Sequence, residues 1–200
     1  MVDGAQWPRQ FTNNSLFIHR LLKQLSFTPG MKKLLLSLFL AFQASALLQA
    51  APTLYHPEGW TLGTEFPGEP EPSKNRIPVP GGEIIEFRAG FQRGDEIFIV
   101  IRVQFPSPIP PERYEAGYEG GKAMMQQSTP RMIKTEEKIK IGGQEGRRYV
   151  LESKDGLRLT DHRAVIIGNE AYQFIYERPA NQKPSAAGEA FFSKIAKKDG

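Results

Sequence analysis

From residue 83 onward, apolar and polar residues alternate in a series of short runs. Ile85, Phe87, Ala89 and Phe91 alternate with Ile84, Glu86 and Arg88, which predicts a half-buried strand. Arg93-Gly94-Asp95 supplies the turn. In the next run, residues 96–105, Ile97, Ile99, Ile101, Val103 and Phe105 share one face while Phe98 and Val100 occupy the other. A strand apolar on both faces belongs in the middle of a sheet, with cover on both sides. Pro106, Pro108, Pro110 and Pro111 end it. A helix is predicted over 112–127, with Tyr114, Tyr118 and Met125 on one stripe. Gly117, Gly120 and Gly121 weaken that helix but let it approach a sheet closely.

Four further strands are predicted at 132–141, 144–153, 157–167 and 171–178. The turn signals Gly142-Gly143, Asp155-Gly156 and Gly168-Asn169 separate them. Tyr149 and Leu151 share a face, as do Tyr172, Phe174 and Tyr176. After Pro184, Ser185 is placed to cap a last helix whose apolar contacts are Phe191, Phe192 and Ile195. The order of elements gives an α+β domain: a largely antiparallel sheet of about six strands with two packed helices. Residues 51–83 interrupt this pattern with Pro52, Pro57, Pro67, Pro70, Pro72, Pro78 and Pro80. Proline cannot donate to a ladder, so the stretch reads as an extended strap or sheet edge. Only Trp60-Thr61-Leu62 resembles a strand, with Phe66 as a second anchor.

Upstream lies a different pattern. Lys32 and Lys33 precede an apolar run over 34–42, and an alanine-rich stretch follows that ends at Ala50-Ala51-Pro52. This is the layout of a secretory signal peptide, with cleavage expected after Ala50 or, next best, Ala51. The apolar stretch falls short of the ~20 residues of an ordinary membrane span. Met31 is then the expected initiator and residues 1–30 an upstream extension. The expected organisation is 31–50 leader, 51–83 proline-rich strap and 84–198 a single α+β domain. The expected location is periplasmic or secreted, with membrane contact only during export.

Charge removes one class of function. The net charge is +4, but residues 1–50 hold five basic side chains against Asp3 alone, and the other 150 hold 21 basic and 21 acidic. A balanced domain has no overall field to attract phosphate backbones, so nucleic acid is not an expected partner. The chain has no cysteine, which excludes disulfides and thiolate metal sites.

Catalytic signals are sparse. Asp161-His162 is a tempting pair, but neighbours on a strand point to opposite faces. Zinc needs about three or four ligands. His56 and His162, the two histidines beyond the leader, fall short of that, and no metal or other cofactor is expected. Gly-x-Ser-x-Gly does not occur, and Gly120-Gly121-Lys122-Ala123 lacks the hydroxyl of a phosphate loop. Arg93-Gly94-Asp95 is ordinary turn chemistry. Glu136-Glu137, flanked by lysines 134, 138 and 140, reads as a solvated edge. Trp60, Tyr114 and Tyr118 are the candidate lining of a binding groove, although aromatic residues of this kind more often pack in a core.

Four segments carry a resemblance: Phe66-Pro67-Gly68-Glu69-Pro70 after a short strand, Gly143-Gln144-Glu145-Gly146-Arg147 heading another, Gly168-Asn169-Glu170-Ala171-Tyr172, and Phe191-Phe192-Ser193 in the final helix. In that order, over roughly residues 58–197, they resemble exported bacterial domains of unknown function whose layout is similar to the Mog1/PsbP-like sandwich. The resemblance implies a non-catalytic scaffold that binds or assists another protein, and it carries over no functional residue. The expected function is that of an accessory or binding protein of the bacterial envelope, not an enzyme, with another envelope protein as partner. Two alternatives stand beside it. One is an envelope hydrolase using carboxylates and arginines, which a cleft converging Asp161, Glu152 or Arg163 with a perturbed carboxylate would support. The other is a domain tethered by an uncleaved leader.

Overall fold

The period-two runs become strands with few surprises at their ends. The computed structural model describes residues 51–128 and 131–197. The leader, the upstream extension and Ala50 lie outside the described residues, and Ala51 is the first of them. The chain forms β1 (Thr53–Tyr55), β2 (Leu62–Phe66), β3 (Glu71–Val79), β4 (Gly82–Arg93) and β5 (Glu96–Gln104), a single 3-10 turn (Pro111–Arg113) and helix α1 (Tyr114–Ser128). There follow β6 (Arg131–Ile141), β7 (Gln144–Ser153), β8 (Arg158–Ile167), β9 (Glu170–Pro179), helix α2 (Ala186–Ser193) and β10 (Ala196–Lys197).

The main sheet is antiparallel throughout, in the order β3-β4-β5-β9-β8-β7-β6. It has seven strands rather than the six expected from sequence. The additional one is β3, which lies within the expected proline-rich strap. Pro72 and Pro78 are compatible with it because β3 is an edge strand that pairs only with β4, so its other side requires no donors. The short strand expected at Trp60-Thr61-Leu62 is displaced: Trp60 and Thr61 lead into β2, which begins at Leu62. A second, three-stranded sheet has the order β1-β2-β10.

Register decides which side chains share a face. Phe87, Arg102, Tyr172 and Val165 form one row; Ala89, Val100, Phe174 and Arg163 form the next; Phe91, Phe98, Tyr176 and Asp161 a third. This face carries the core. Phe98, Val100, Tyr172, Phe174 and Tyr176 pack with Phe191 and Phe192 of α2 and with Leu62 and Phe66 of β2. Ser185 caps α2 by accepting from Gly188 N–H at 3.1 Å.

The opposite face holds the rows Arg88, Ile101, Gln173, Ala164, Arg147 and Gly90, Ile99, Ile175, His162, Tyr149, Glu136. Helix α1 belongs to the connection between β5, third in the sheet, and β6 at its far edge, and it crosses this second face. Gly117 allows close contact there: a Cβ would come within 2.8 Å of Ile166 Cδ1. Tyr118 Oη donates to Glu145 O (3.0 Å) and accepts from Ile166 N–H (3.2 Å), and Tyr114 Oη accepts from Gly168 N–H at 3.0 Å. Burial is the main reason the Tyr118 phenol sits above its ordinary pKa.

Candidate functional site

Between α1 and the second face lies a cleft with a cavity of about 400 Å³. That volume is within the range of small-molecule sites. Its helical wall includes Tyr118, Gly121, Met124 and Met125, and its sheet floor includes Ile101, Leu151 and Ile175. Gly121 borders open space, since a Cβ there would meet nothing within 4 Å.

The polar part of the floor comes from β7, β8 and β9. Tyr149 and His162 sit directly opposite one another in the β7–β8 ladder, their ring centroids 6.0 Å apart and their planes at 68°. They are 1% and 5% exposed. Tyr149 Oη and His162 Nε2 are buried without a hydrogen-bond partner, and both residues line the cavity. Buried polar atoms are nearly always satisfied, so two orphans in one cavity single the place out. Burial drives the Tyr149 phenol up to about 12. It also drives the His162 imidazole down to about 4, against smaller opposing effects of Asp161 and of the Gln173 side chain. At neutral pH the floor therefore presents a phenolic O–H and an uncharged imidazole.

Charges gather at the rim and are matched. Lys122 Nζ lies 2.7 Å from Glu136, Arg131 2.6 Å from Glu177, and Arg88 3.5 Å from Glu86. Among the described residues no group of three or more His, Asp or Glu side chains could hold a metal ion, and no helix is long and apolar enough to cross a membrane.

The aromatic residues singled out from sequence do not form one surface. Tyr118 is buried and lines the cleft, and Tyr114 is half-buried on the same helix. Trp60 is buried on the other side of the sheet, edge-on to Tyr55, Phe87 and Tyr172. Its position follows from register, because Phe87 and Tyr172 both belong to the α2-side face. Asp161 and His162 point to opposite faces, as strand geometry requires.

A smaller cavity of about 310 Å³ lies beside α2 and is lined by Arg148, Asp161, Arg163, Arg178 and Phe192. Asp161 bridges Arg148 (2.8 Å) and Arg163 (3.3 Å), and the Arg163 guanidinium lies over the Phe192 ring at 3.8 Å. Glu152 is paired with Lys134 at 2.9 Å and does not line this cavity. Tyr149, Gln173 and Thr160 went unnoticed as cleft residues in the sequence. The signal was present: folding the chain about Asp155-Gly156 sets Tyr149 opposite His162.

No protein-family model matches the chain, and no curated protein matches it. Among solved structures it is similar to a crystal structure from Bacteroides thetaiotaomicron, with a TM-score of 0.39 and 12% identity over 76% of this chain. The match spans about half of that protein, 50% of its length.

Proposed function

We propose that this chain is an exported, non-catalytic binding or accessory protein of the bacterial envelope, and that it binds through the cleft between α1 and the main sheet. The observation that carries the binding site is the pair of buried, unpartnered polar atoms, Tyr149 Oη and His162 Nε2, lining one cavity. A closed core would leave neither unpaired. Export rests on the Lys-Lys and apolar leader pattern, and the layout similar to the Mog1/PsbP-like sandwich belongs to the same reading. A hydrolase working through Asp161, Glu152 and Arg163 has weaker support, since Asp161 is held between two arginines and Glu152 by Lys134.

The test is affinity capture of the tagged full chain from its native envelope, with mass spectrometry of what co-purifies, repeated with Gly121→Trp. That indole fills the open space beside Gly121 while replacing a poor helix former. Loss of the co-purifying component with the fold intact is the expected result. A component retained at full stoichiometry by folded Gly121→Trp overturns the assignment of the cleft. Recovery of a protein with no companion and with turnover of a substrate overturns the non-catalytic reading.

A further inference from the structure

The deep end of the cleft has a definite hydrogen-bonding character. His162 Nε2 is the ring nitrogen that is buried without a partner, and Gln173 lines the same cavity. A neutral imidazole carries one proton, and with that proton on Nδ1 the Nε2 atom keeps its lone pair and is an acceptor. Tyr149 Oη, still protonated at neutral pH, is free to donate. An acceptor and a donor on facing residues are complemented by one group that offers both functions, and a hydroxyl does.

The remainder of the cleft determines what that hydroxyl is attached to. Ile101, Leu151, Ile175, Met124 and Met125 give it an apolar lining. The rim cations Lys122, Arg131 and Arg88 each face a carboxylate, so an anionic ligand would have to displace an existing ion pair. A cationic ligand would find those carboxylates occupied and two neutral groups beneath it.

We infer that the cleft takes a neutral, largely apolar small molecule bearing a hydroxyl, whose O–H donates to His162 Nε2 and whose oxygen accepts from Tyr149 Oη. The inference rests on the reading of the cleft as a binding site and adds the chemical class of its ligand. A bridging water uses the same two groups, and the experiment separates water from an organic ligand.

Cyclohexanol is the probe, with cyclohexanecarboxylate and cyclohexylammonium as charged counterparts of the same shape. Each is titrated into the full chain while NMR follows the methyl groups of Ile101, Leu151 and Ile175 and the His162 ring. Saturable shifts with cyclohexanol, at least tenfold weaker with either charged probe, are expected. Tyr149→Phe should weaken cyclohexanol by about tenfold, the effect of one buried hydrogen bond. The comparison of probes needs the wild-type chain alone and survives any folding failure of the variant. Equal entry of all three probes, or an unchanged affinity in folded Tyr149→Phe, overturns hydroxyl recognition and leaves the cleft standing as a site. Cyclohexanol shifts that persist in Gly121→Trp overturn both. If no probe shifts these signals, the two atoms serve ordered water only and the inference is wrong, while envelope capture still judges the broader reading separately.

Discussion

Arg102 Nε donates to the Glu170 carboxylate at 2.8 Å from the neighbouring strand, and both side chains are buried. Glu170 also accepts from Thr61 Oγ1 and Tyr172 Oη, each at 2.7 Å, and Tyr172 Oη accepts from Thr61 N–H at 2.7 Å. Arg102 Nη2 donates to Gly59 O at 3.1 Å, and its guanidinium lies over Trp60 and Phe87 at 5.7 and 5.2 Å. One ion pair thus fastens the approach to β2 onto the main sheet. Burial alone would raise the Glu170 carboxyl. The hydrogen bonds from Thr61, Arg102 and Tyr172 outweigh it and hold the group below its ordinary range.

Breaking this pair from one side leaves a buried charge without its partner. Arg102→Met and Glu170→Gln should each destabilise the domain by about 3 kcal/mol in urea unfolding. The double variant should be less destabilised than the sum of the two singles, since neither orphaned charge remains. Additive effects in the double-mutant cycle would show that the two residues act independently.

His162 gives the protein an acid-side weakness. Its imidazole titrates near 6.5 in the unfolded chain and at about 4 in the folded one, chiefly because burial penalises the charged ring. Between those values the unfolded state binds the extra proton. Stability is therefore full above about pH 6.5 and falls as pH drops toward 4, by about 3 kcal/mol from this group. His162→Gln should flatten the decline in that window. The check is urea midpoints for both proteins at several pH values.

Two glycines should respond to alanine with opposite signs. At Gly188 in α2, a Cβ would lie 2.4 Å from Tyr176 Cζ. Tyr176 is held there by its hydrogen bond to Glu96 and by Ser185 N–H donating to it at 3.3 Å. Gly188→Ala should lower stability by about 2 kcal/mol despite the better helix former. At Gly120 in α1 nothing lies within 4 Å of the new carbon. Gly120→Ala should raise stability by about 0.5–1 kcal/mol. Thermal melts of the two variants settle both.

Tyr118 fastens α1 to the ends of β7 and β8. Tyr118→Phe removes the acceptor of the Ile166 N–H and the donor to Glu145 O, for an expected loss of about 2 kcal/mol. Hydrogen exchange should rise along α1 more than along β5 or β9. Uniform acceleration across the domain would contradict this local role.

The hairpins were the most legible part of the sequence. Gly142-Gly143 and Asp155-Gly156 mark tight turns, and glycines 142, 143 and 156 all have positive φ there. With the turns located, alternation sorts Tyr172, Phe174 and Tyr176 onto one face. Strand β3 was hidden because its prolines weaken every strand signal, and only the lack of a neighbour beyond it makes them acceptable. Trp60 looked like a groove residue because its burial comes from Arg102, Phe87 and Tyr172, which no local pattern brings together. The cleft was half legible. Glycines 117 and 121 hinted at a helix close to a sheet, but the crossing of α1 from β5 to the far edge determines which side chains lie beneath it.

That strand order also sets an order of events. Strands β4 and β5 meet through a tight turn, and β6 to β9 meet through three more. Within the main sheet the two groups join where β5 pairs with β9, at residues such as Arg102 and Glu170 that are 68 positions apart. The entropy of closing that loop is lost before any contact across the junction forms, so assembly of the two halves should govern how fast the domain folds. Val100→Ala, at the junction, should slow folding, whereas Ile139→Ala in β6 should mainly speed unfolding. Stopped-flow chevrons would separate the two, and they would reveal a domain made of two fast parts that wait on one slow meeting.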